Sequence, residues 1–203
     1  SMILLSGLLT VIVGRAVFRP DGRLVATADA SGVVKVWTAH AGRELFETGS
    51  LTWATAYSVD GRQLCYGPVG DGLFVCDADS GRRRLKLHQE RQFSVIARFS
   101  PDGRQLAADD QNGGVNIWDL ESGAFLRTLR TGDRAVSAFN YSFDGRLLAT
   151  GTSDGLTRIW VASNGTLRHT LRGHSHWTVV TEFSRDNRWL VTAGGYEANV
   201  GLW

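Results

Sequence analysis

One short pattern recurs five times along this chain of 203 residues. Each time an aromatic residue is followed by two residues and then by Asp, and Gly comes after the Asp in four of the five copies. The recurring residues are Asp21, Asp60, Asp102, Asp144 and Asp186, so successive copies lie 39, 42, 42 and 42 residues apart. A fixed period of this length indicates an array of similar units, each of which buries its apolar face against its neighbours.

Two further series of residues keep the same register. One places a Trp, or once a Cys, at a fixed point of each copy, and the other places Gly five residues later. The first series is Trp37, Cys76, Trp118, Trp160 and Trp203, and the second is Gly42, Gly81, Gly123 and Gly165. Three series in one register make the repeat specific, whereas a single match would be weak.

Each unit is predicted to hold four short strands joined by tight turns. The Asp-Gly pair favours a hairpin turn, because Gly adopts the positive φ that such turns need. In the fourth copy the strands after this turn are predicted at 147–150, 156–160 and 167–171. No helical periodicity interrupts them. A repeated four-stranded unit of this length is typical of a β-propeller blade.

These residues resemble the WD-repeat β-propeller family over essentially the whole chain. The motifs that carry the resemblance are 99–107 (FSPDGRQLA), 117–119 (IWD), 153–160 (SDGLTRIW) and 171–174 (LRGH). The resemblance implies an all-β propeller of five four-stranded antiparallel blades, in a single domain over residues 3–203. Ser1 and Met2 are interpreted as a cloning remnant.

The resemblance also implies a hydrogen-bond tetrad in each blade, made by a His, a Ser or Thr, an Asp and a Trp. This chain matches it incompletely, because Cys76 replaces the Trp of the second repeat and Gly132 stands at the His position of the fourth. The tetrad-like residues are His174, Thr192 and Trp203 in the fifth repeat, Asp154 and Trp160 with Thr150 or Thr152 in the fourth, Trp118 in the third, and Trp37 in the first.

The N-terminal strand is expected to close the last blade. Ile3 precedes Asp21 by 18 residues, as Leu126 precedes Asp144, so residues 3–5 occupy the position of a fourth strand. We therefore expect them to pair with residues 199–203 and to cover an exposed sheet edge. Two alternatives stay open: the chain is a fragment of a larger propeller, or one half of a two-chain ring. Unpaired blade edges would then permit self-association.

Charge and composition give no indication of a nucleic-acid or membrane partner, of a metal or of a cofactor. The chain has 22 basic and 20 acidic residues, a net charge of +2. Its longest apolar stretch, residues 3–13, is too short to span a bilayer. Asp77-Ala-Asp79-Ser-Gly81 resembles the start of a calcium loop, but the liganding residues expected at later positions are absent.

No residue is expected to be catalytic. The five repeated Asp residues are interpreted as turn residues, and no nucleophile motif accompanies His174. Cys65 and Cys76 are predicted to face each other across two strands, as free thiols rather than a disulfide. We expect a cytoplasmic location, as the family resemblance implies. The arginines at 82–84 are interpreted as a solvated outer edge.

Aromatic residues near the strand entrances are the candidate binding residues. The resemblance implies that such positions approach the top mouth of the central channel, where family members bind peptides. The candidates are Trp53, Phe93, His176, Trp177 and Tyr196, the last within a loop one residue longer than its counterparts. They predict a non-catalytic scaffold that binds a protein or peptide partner.

A small-ligand or glycan-binding propeller, similar to a lectin, is the alternative. It requires equivalent aromatic pockets in all blades. The residues at one aligned position are Ile12, Leu51, Phe93, Ala135 and Trp177, and this variety argues against the alternative.

Overall fold

The computed structural model describes residues 13–29, 33–48, 52–68, 71–88, 96–132, 134–195 and 199–203. Within these ranges the chain forms nineteen β-strands and no helix. The strands build antiparallel sheets whose members follow one another in sequence order. The prediction of repeated four-stranded antiparallel sheets is confirmed. The described residues include no helix that is long and apolar enough to cross a membrane.

The first compact unit, residues 1–97, contains two four-stranded sheets. Sheet 1 consists of β1 (Val13–Phe18), β2 (Leu24–Asp29), β3 (Val34–Thr38) and β4 (Glu44–Thr48). Sheet 2 consists of β5 (Thr52–Tyr57), β6 (Gln63–Pro68), β7 (Leu73–Asp77) and β8 (Arg83–Leu87). The two sheets share an apolar core that includes Ala26, Val36, Leu64 and Cys76.

The second compact unit, residues 98–203, contains three sheets. Sheet 3 consists of β9 (Ala97–Phe99), β10 (Gln105–Asp109), β11 (Gly114–Asp119) and β12 (Phe125–Arg130). Sheet 4 consists of β13 (Val136–Tyr141), β14 (Leu147–Thr152), β15 (Leu156–Val161) and β16 (Leu167–Arg172). Sheet 5 consists of β17 (Thr178–Phe183), β18 (Leu190–Gly194) and β19 (Val200–Leu202). Ala149 and Ile159 of sheet 4 pack with Phe183 and Leu190 of sheet 5.

The single domain and the strand that would complete sheet 5 stay predictions. The chain divides into two compact units, residues 1–97 and residues 98–203. Residues 3–5, which were expected to pair with 199–203, lie outside the described residues.

The repeated Asp closes the turn between the first and second strands of each sheet. In sheet 4 the Ser142 hydroxyl donates to Asp144 Oδ1 at 2.7 Å, and the Arg146 amide donates to the same oxygen at 3.0 Å. These two hydrogen bonds hold the pKa of Asp144 below its ordinary value. Gly145 has a φ of +71°, and in sheet 5 Asn187 adopts +59° at the same point. The carboxylates therefore serve the turns.

The two cysteines are free and buried, but they do not face each other. Cys65 pairs with Val75, and Cys76 pairs with Leu64. The β6–β7 hairpin is therefore centred on residue 70, half a residue from the expected position. This one-residue change in register turns the thiols to opposite faces of the sheet, so the prediction that they face each other is wrong. Burial raises the pKa of Cys76 to about 11.

Candidate functional site

A Trp–Thr hydrogen bond recurs at one point of sheets 1, 4 and 5. The indole Nε1 of each Trp donates to the Oγ1 of a Thr that lies two residues beyond the cross-strand partner of that Trp. The pairs are Trp37–Thr27 at 2.9 Å, Trp160–Thr150 at 2.9 Å and Trp203–Thr192 at 3.0 Å. The partner of Trp160 is thus Thr150, one of the two threonines that the sequence left open.

His174 extends this arrangement in sheet 5. Its Nε2 lies 2.8 Å from Thr192 Oγ1, the oxygen that also accepts from Trp203. Thr192 is fully buried. The three side chains tie the loop before β17 to β18 and to the chain beyond β19. A histidine that is engaged in this way has a structural role.

Sheets 2 and 3 lack the Trp–Thr pair for different reasons. In sheet 3 the Thr position is Ala108, so within the described part of the chain the buried Trp118 Nε1 has no hydrogen-bond partner. In sheet 2 the Trp position is Cys76 and the Thr position is Tyr66. The Tyr66 hydroxyl accepts a hydrogen bond from Arg83 Nε at 2.8 Å.

Arg82, Arg83 and Arg84 are exposed, as the sequence predicted for this edge, and Arg83 also contacts aromatic rings of its own sheet. Its guanidinium lies 4.4 Å from the ring centre of Phe74 and 6.0 Å from that of Tyr66. Arg83 therefore covers two aromatic rings of sheet 2. The signal for this contact was the joint replacement of the Thr and Trp positions in the second repeat.

Asp154 belongs to the turn between β14 and β15. Its Oδ1 accepts from Thr152 Oγ1 at 2.6 Å and from the Leu156 amide at 3.2 Å. Partial burial favours a higher pKa, but these hydrogen bonds and the nearby charge of Arg158 outweigh it, so the pKa lies below its ordinary value.

The residues that resemble the start of a calcium loop likewise form a turn. The Asp77 Oδ1 accepts from the Ser80 amide at 2.9 Å and from the Ser80 hydroxyl at 2.6 Å. Among the described residues, no group of three or more His, Cys, Asp or Glu side chains is placed to hold a metal ion.

Trp177 stands beside the turn that follows β18. Its carbonyl accepts a hydrogen bond from the Gly195 amide at 2.8 Å, while 51% of the residue is exposed. A Cβ added to Gly195 would stand 3.0 Å from Val179 Cγ1 and 3.9 Å from Trp177 Cβ. The Trp177 surface, as we name it, comprises His176, Trp177, Val179 and Gly195.

A β-bulge shapes this surface. Thr178 pairs with Gly194 and Val180 with Ala193, so Val179 is the additional residue between them. Both Val179 and Val180 are exposed. In sheet 4 the equivalent residue is Ser137, whose hydroxyl donates to the Thr178 carbonyl at 2.8 Å. The bulge thus presents an apolar side chain in sheet 5 where sheet 4 has a polar one.

The other candidate binding residues are only partly placed. His176 is exposed, with Nδ1 2.7 Å from the Ser175 carbonyl oxygen. Phe93 and Tyr196 lie outside the described residues, although Tyr196 follows Gly195 directly. The backbone of Trp53 lies in β5, and its side chain lies outside the description.

The loop before β17 also packs against the β14–β15 turn. A Cβ on Gly155, which has a φ of +81°, would stand 2.2 Å from the His174 carbonyl oxygen and 2.8 Å from that of His176. The turn after β10 repeats this contact, since a Cβ on Gly113 would stand 2.0 Å from the Gly132 carbonyl oxygen. Turns and inter-sheet loops therefore meet along one edge of the second unit.

Two family models match segments of the chain. The model described as WD domain, G-beta repeat, matches residues 10–38, and the anaphase-promoting complex subunit 4 WD40 domain matches residues 128–185. The second match contains all of sheet 4. Both models describe WD repeats, so the two matches support a WD-repeat family for this chain. WD repeats generally mediate protein–protein interactions as scaffolds, and WD-repeat proteins are typically non-catalytic. No curated protein matches this chain.

Proposed function

We propose that this WD-repeat protein is a non-catalytic scaffold that binds a peptide or protein segment at the Trp177 surface. The observation that carries the proposal is the half-exposed indole of Trp177 beside the exposed Val179. Tryptophan side chains that lose water on association are frequent energetic anchors of interfaces.

The backbone around this indole is held in place. The Trp177 carbonyl is bonded to Gly195, and the carbonyl of the next residue, Thr178, accepts from Ser137. The Thr178 side chain is buried. A side chain mounted on such a backbone loses little conformational entropy on binding, which favours its use as an anchor.

Trp189 provides a matched control within the same sheet. It is 50% exposed and lies at the opposite end of β18, next to the Asp186 turn. Exchanging either Trp for Ala removes the same side chain from a similarly exposed position. Only the position on the sheet differs between the two variants.

The test selects short random peptides on the wild-type protein by phage display, and then measures their affinity by fluorescence anisotropy. We expect Trp177→Ala to weaken binding at least roughly tenfold and Trp189→Ala to leave it unchanged. Thermal melting of both variants should match the wild type. Selected peptides that bind Trp177→Ala as tightly as the wild type, or a selection that yields no peptide, would overturn the proposal.

The remaining parts of the proposal concern the wider surroundings. Tyr196 follows Gly195 in sequence and is proposed to extend the Trp177 surface, while Trp53 and Phe93 stay predicted contacts. The two free buried thiols support a cytoplasmic location. The balanced charge supports a protein partner rather than a nucleic acid or a membrane.

A further inference from the structure

An uncompensated positive charge lies at the end of β16. Arg130 and Arg172 occupy equivalent positions, where they pair across the sheet with Gly114 and Leu156. Arg130 Nη1 lies 3.1 Å from Asp110 Oδ2. The equivalent of Asp110 in sheet 4 is Thr152, which carries no charge. Among the described residues, no carboxylate lies within ion-pair distance of Arg172.

Two further arginines lie near the turn between β14 and β15 in sheet 4. Arg158 Nη1 donates to Thr152 Oγ1 at 3.4 Å. Arg134 is exposed and precedes Ala135, whose carbonyl accepts from the Ser153 amide at 3.0 Å. We name Arg134, Arg158 and Arg172 the arginine edge.

The arginine edge carries a local surplus of positive charge. The carboxylate of this turn, Asp154, already accepts hydrogen bonds from Thr152 and Leu156. Among the described residues of this turn, one carboxylate opposes three guanidinium groups, of which two, on Arg134 and Arg172, belong to exposed residues. Asp133, which precedes Arg134 in the sequence, lies outside the described residues. The surplus is local because the whole chain has a net charge of only +2.

The arginine edge adjoins the Trp177 surface. Gly155 lies in the turn that the arginines surround, and it packs against the carbonyl groups of His174 and His176. The turn therefore lies beside the loop that carries Trp177.

We propose that the segment bound at the Trp177 surface is an acidic peptide, whose Asp or Glu side chains pair with Arg172 and Arg134 while an apolar side chain packs on Trp177. This inference rests on the proposed function and specifies the chemistry of the partner. Charge complementarity selects the partner and speeds its association. A short acidic segment fits better than a nucleic acid, because nucleic acids engage cations along an extended track and the surplus here is confined to one turn.

The probes are the selected peptides that require Trp177, each with a twin in which Asn and Gln replace Asp and Glu. We expect the selected peptides to be rich in Asp and Glu, and their twins to bind more weakly. The double variant Arg134→Gln/Arg172→Gln should weaken binding roughly fivefold, because exposed ion pairs contribute modestly. Added salt should weaken wild-type binding more than binding to this variant.

Arg146→Gln is the matched control. Arg146 is an exposed arginine of the same sheet, at the opposite end of β14, near Asp144. It changes the net charge in the same direction as each arginine-edge substitution, and we expect peptide affinity to stay at the wild-type value.

The outcomes separate this inference from the proposed function. Trp177-dependent peptides that are neutral, or whose twins bind equally well, would overturn the acidic partner and leave the Trp177 surface standing. Displacement of the peptides by a short oligothymidylate with comparable affinity would overturn it in favour of a nucleic acid. A selection without Trp177-dependent peptides would overturn both.

Discussion

Arg19 Nη1 and Asp79 Oδ1, which lie 60 residues apart in the chain, form an ion pair of 2.6 Å between a turn of sheet 1 and a turn of sheet 2. Arg19 occupies the position that Ser58 and its equivalents take in the other four repeats. Its second guanidinium nitrogen, Nη2, contacts Asp21 at 2.6 Å. Arg19 thus contacts Asp21 in its own turn of sheet 1 and links that turn to Asp79 of sheet 2.

Substitution of Arg19 should change the titration of Asp21. The hydrogen bond from Arg19 is the main cause that lowers the pKa of Asp21 to about 2. In Arg19→Ala we expect this pKa to rise towards about 3.9, the ordinary value of an aspartate. Carboxyl-carbon NMR titration measures it directly. The pKa of Asp60, which its own Ser58 lowers, should not move.

The lowered pKa of Asp21 also makes the stability of the folded protein depend on pH. The pKa of Asp21 is lower in the folded protein than in the unfolded chain, so its contribution to stability is present above about pH 4 and is lost as the pH falls through about 2. The wild-type protein should therefore lose more stability over this interval than Arg19→Ala does. Parallel acid-unfolding curves of the two proteins would contradict the assignment.

The buried indoles of sheets 3 and 4 should dominate the response to truncation. Trp118 and Trp160 are both buried, so replacement of either by Ala should cost about 3–5 kcal/mol. Cys76→Ala removes only one heavy atom and should cost clearly less. Denaturant midpoints with comparable slopes measure the three losses, and equal losses would be inconsistent with this account.

The Trp–Thr hydrogen bond can be tested without changing side-chain shape. Thr150→Val leaves the buried Trp160 Nε1 without its partner and should cost about 1–3 kcal/mol. Thr27→Val removes the equivalent bond from Trp37, which is only partly buried, and should cost less. Chemical denaturation compares them. A larger loss in Thr27→Val would show that burial does not set the energy of this bond.

Substitution of two glycines distinguishes the stability cost of backbone strain from that of a steric clash. Gly103 and Gly155 both have a positive φ, but a Cβ at Gly103 meets no atom within 4 Å. Gly103→Ala should therefore cost about 1–2 kcal/mol, the penalty of a left-handed conformation. Gly155→Ala should cost more, since its Cβ would meet the His174 carbonyl. Thermal melting ranks the two variants, and the reverse order would refute the contact.

The parts of this fold that could be predicted depend on local chemistry. Ser142, Asp144 and Gly145 lie within four consecutive residues, so their turn was visible in the sequence. The register of Cys65 was not visible in this way. A hairpin centred half a residue away turns every side chain of the strand to the opposite face of the sheet, and only the folded turn decides where the centre lies.

The candidate site was predictable to a similar degree. The sequence singled out Trp177 because it is an aromatic residue near the entrance of a predicted strand. Its exposure depends on the neighbouring bulge at Val179, which sequence spacing did not reveal. The arginine edge was also missed, since it follows from Thr152 standing where sheet 3 has Asp110, a difference that matters only once the strands are in register.

Asn187 shows what the departures from the repeat contribute. It takes the left-handed position that glycine holds in the other four turns, and its Oδ1 accepts a hydrogen bond from the Asp144 amide at 3.3 Å, on the neighbouring sheet. Glycine could not make this contact. Arrays of near-identical units are prone to assembling in the wrong order. A side chain that contacts one particular neighbouring sheet distinguishes its unit from the other repeats, and so favours correct assembly during folding.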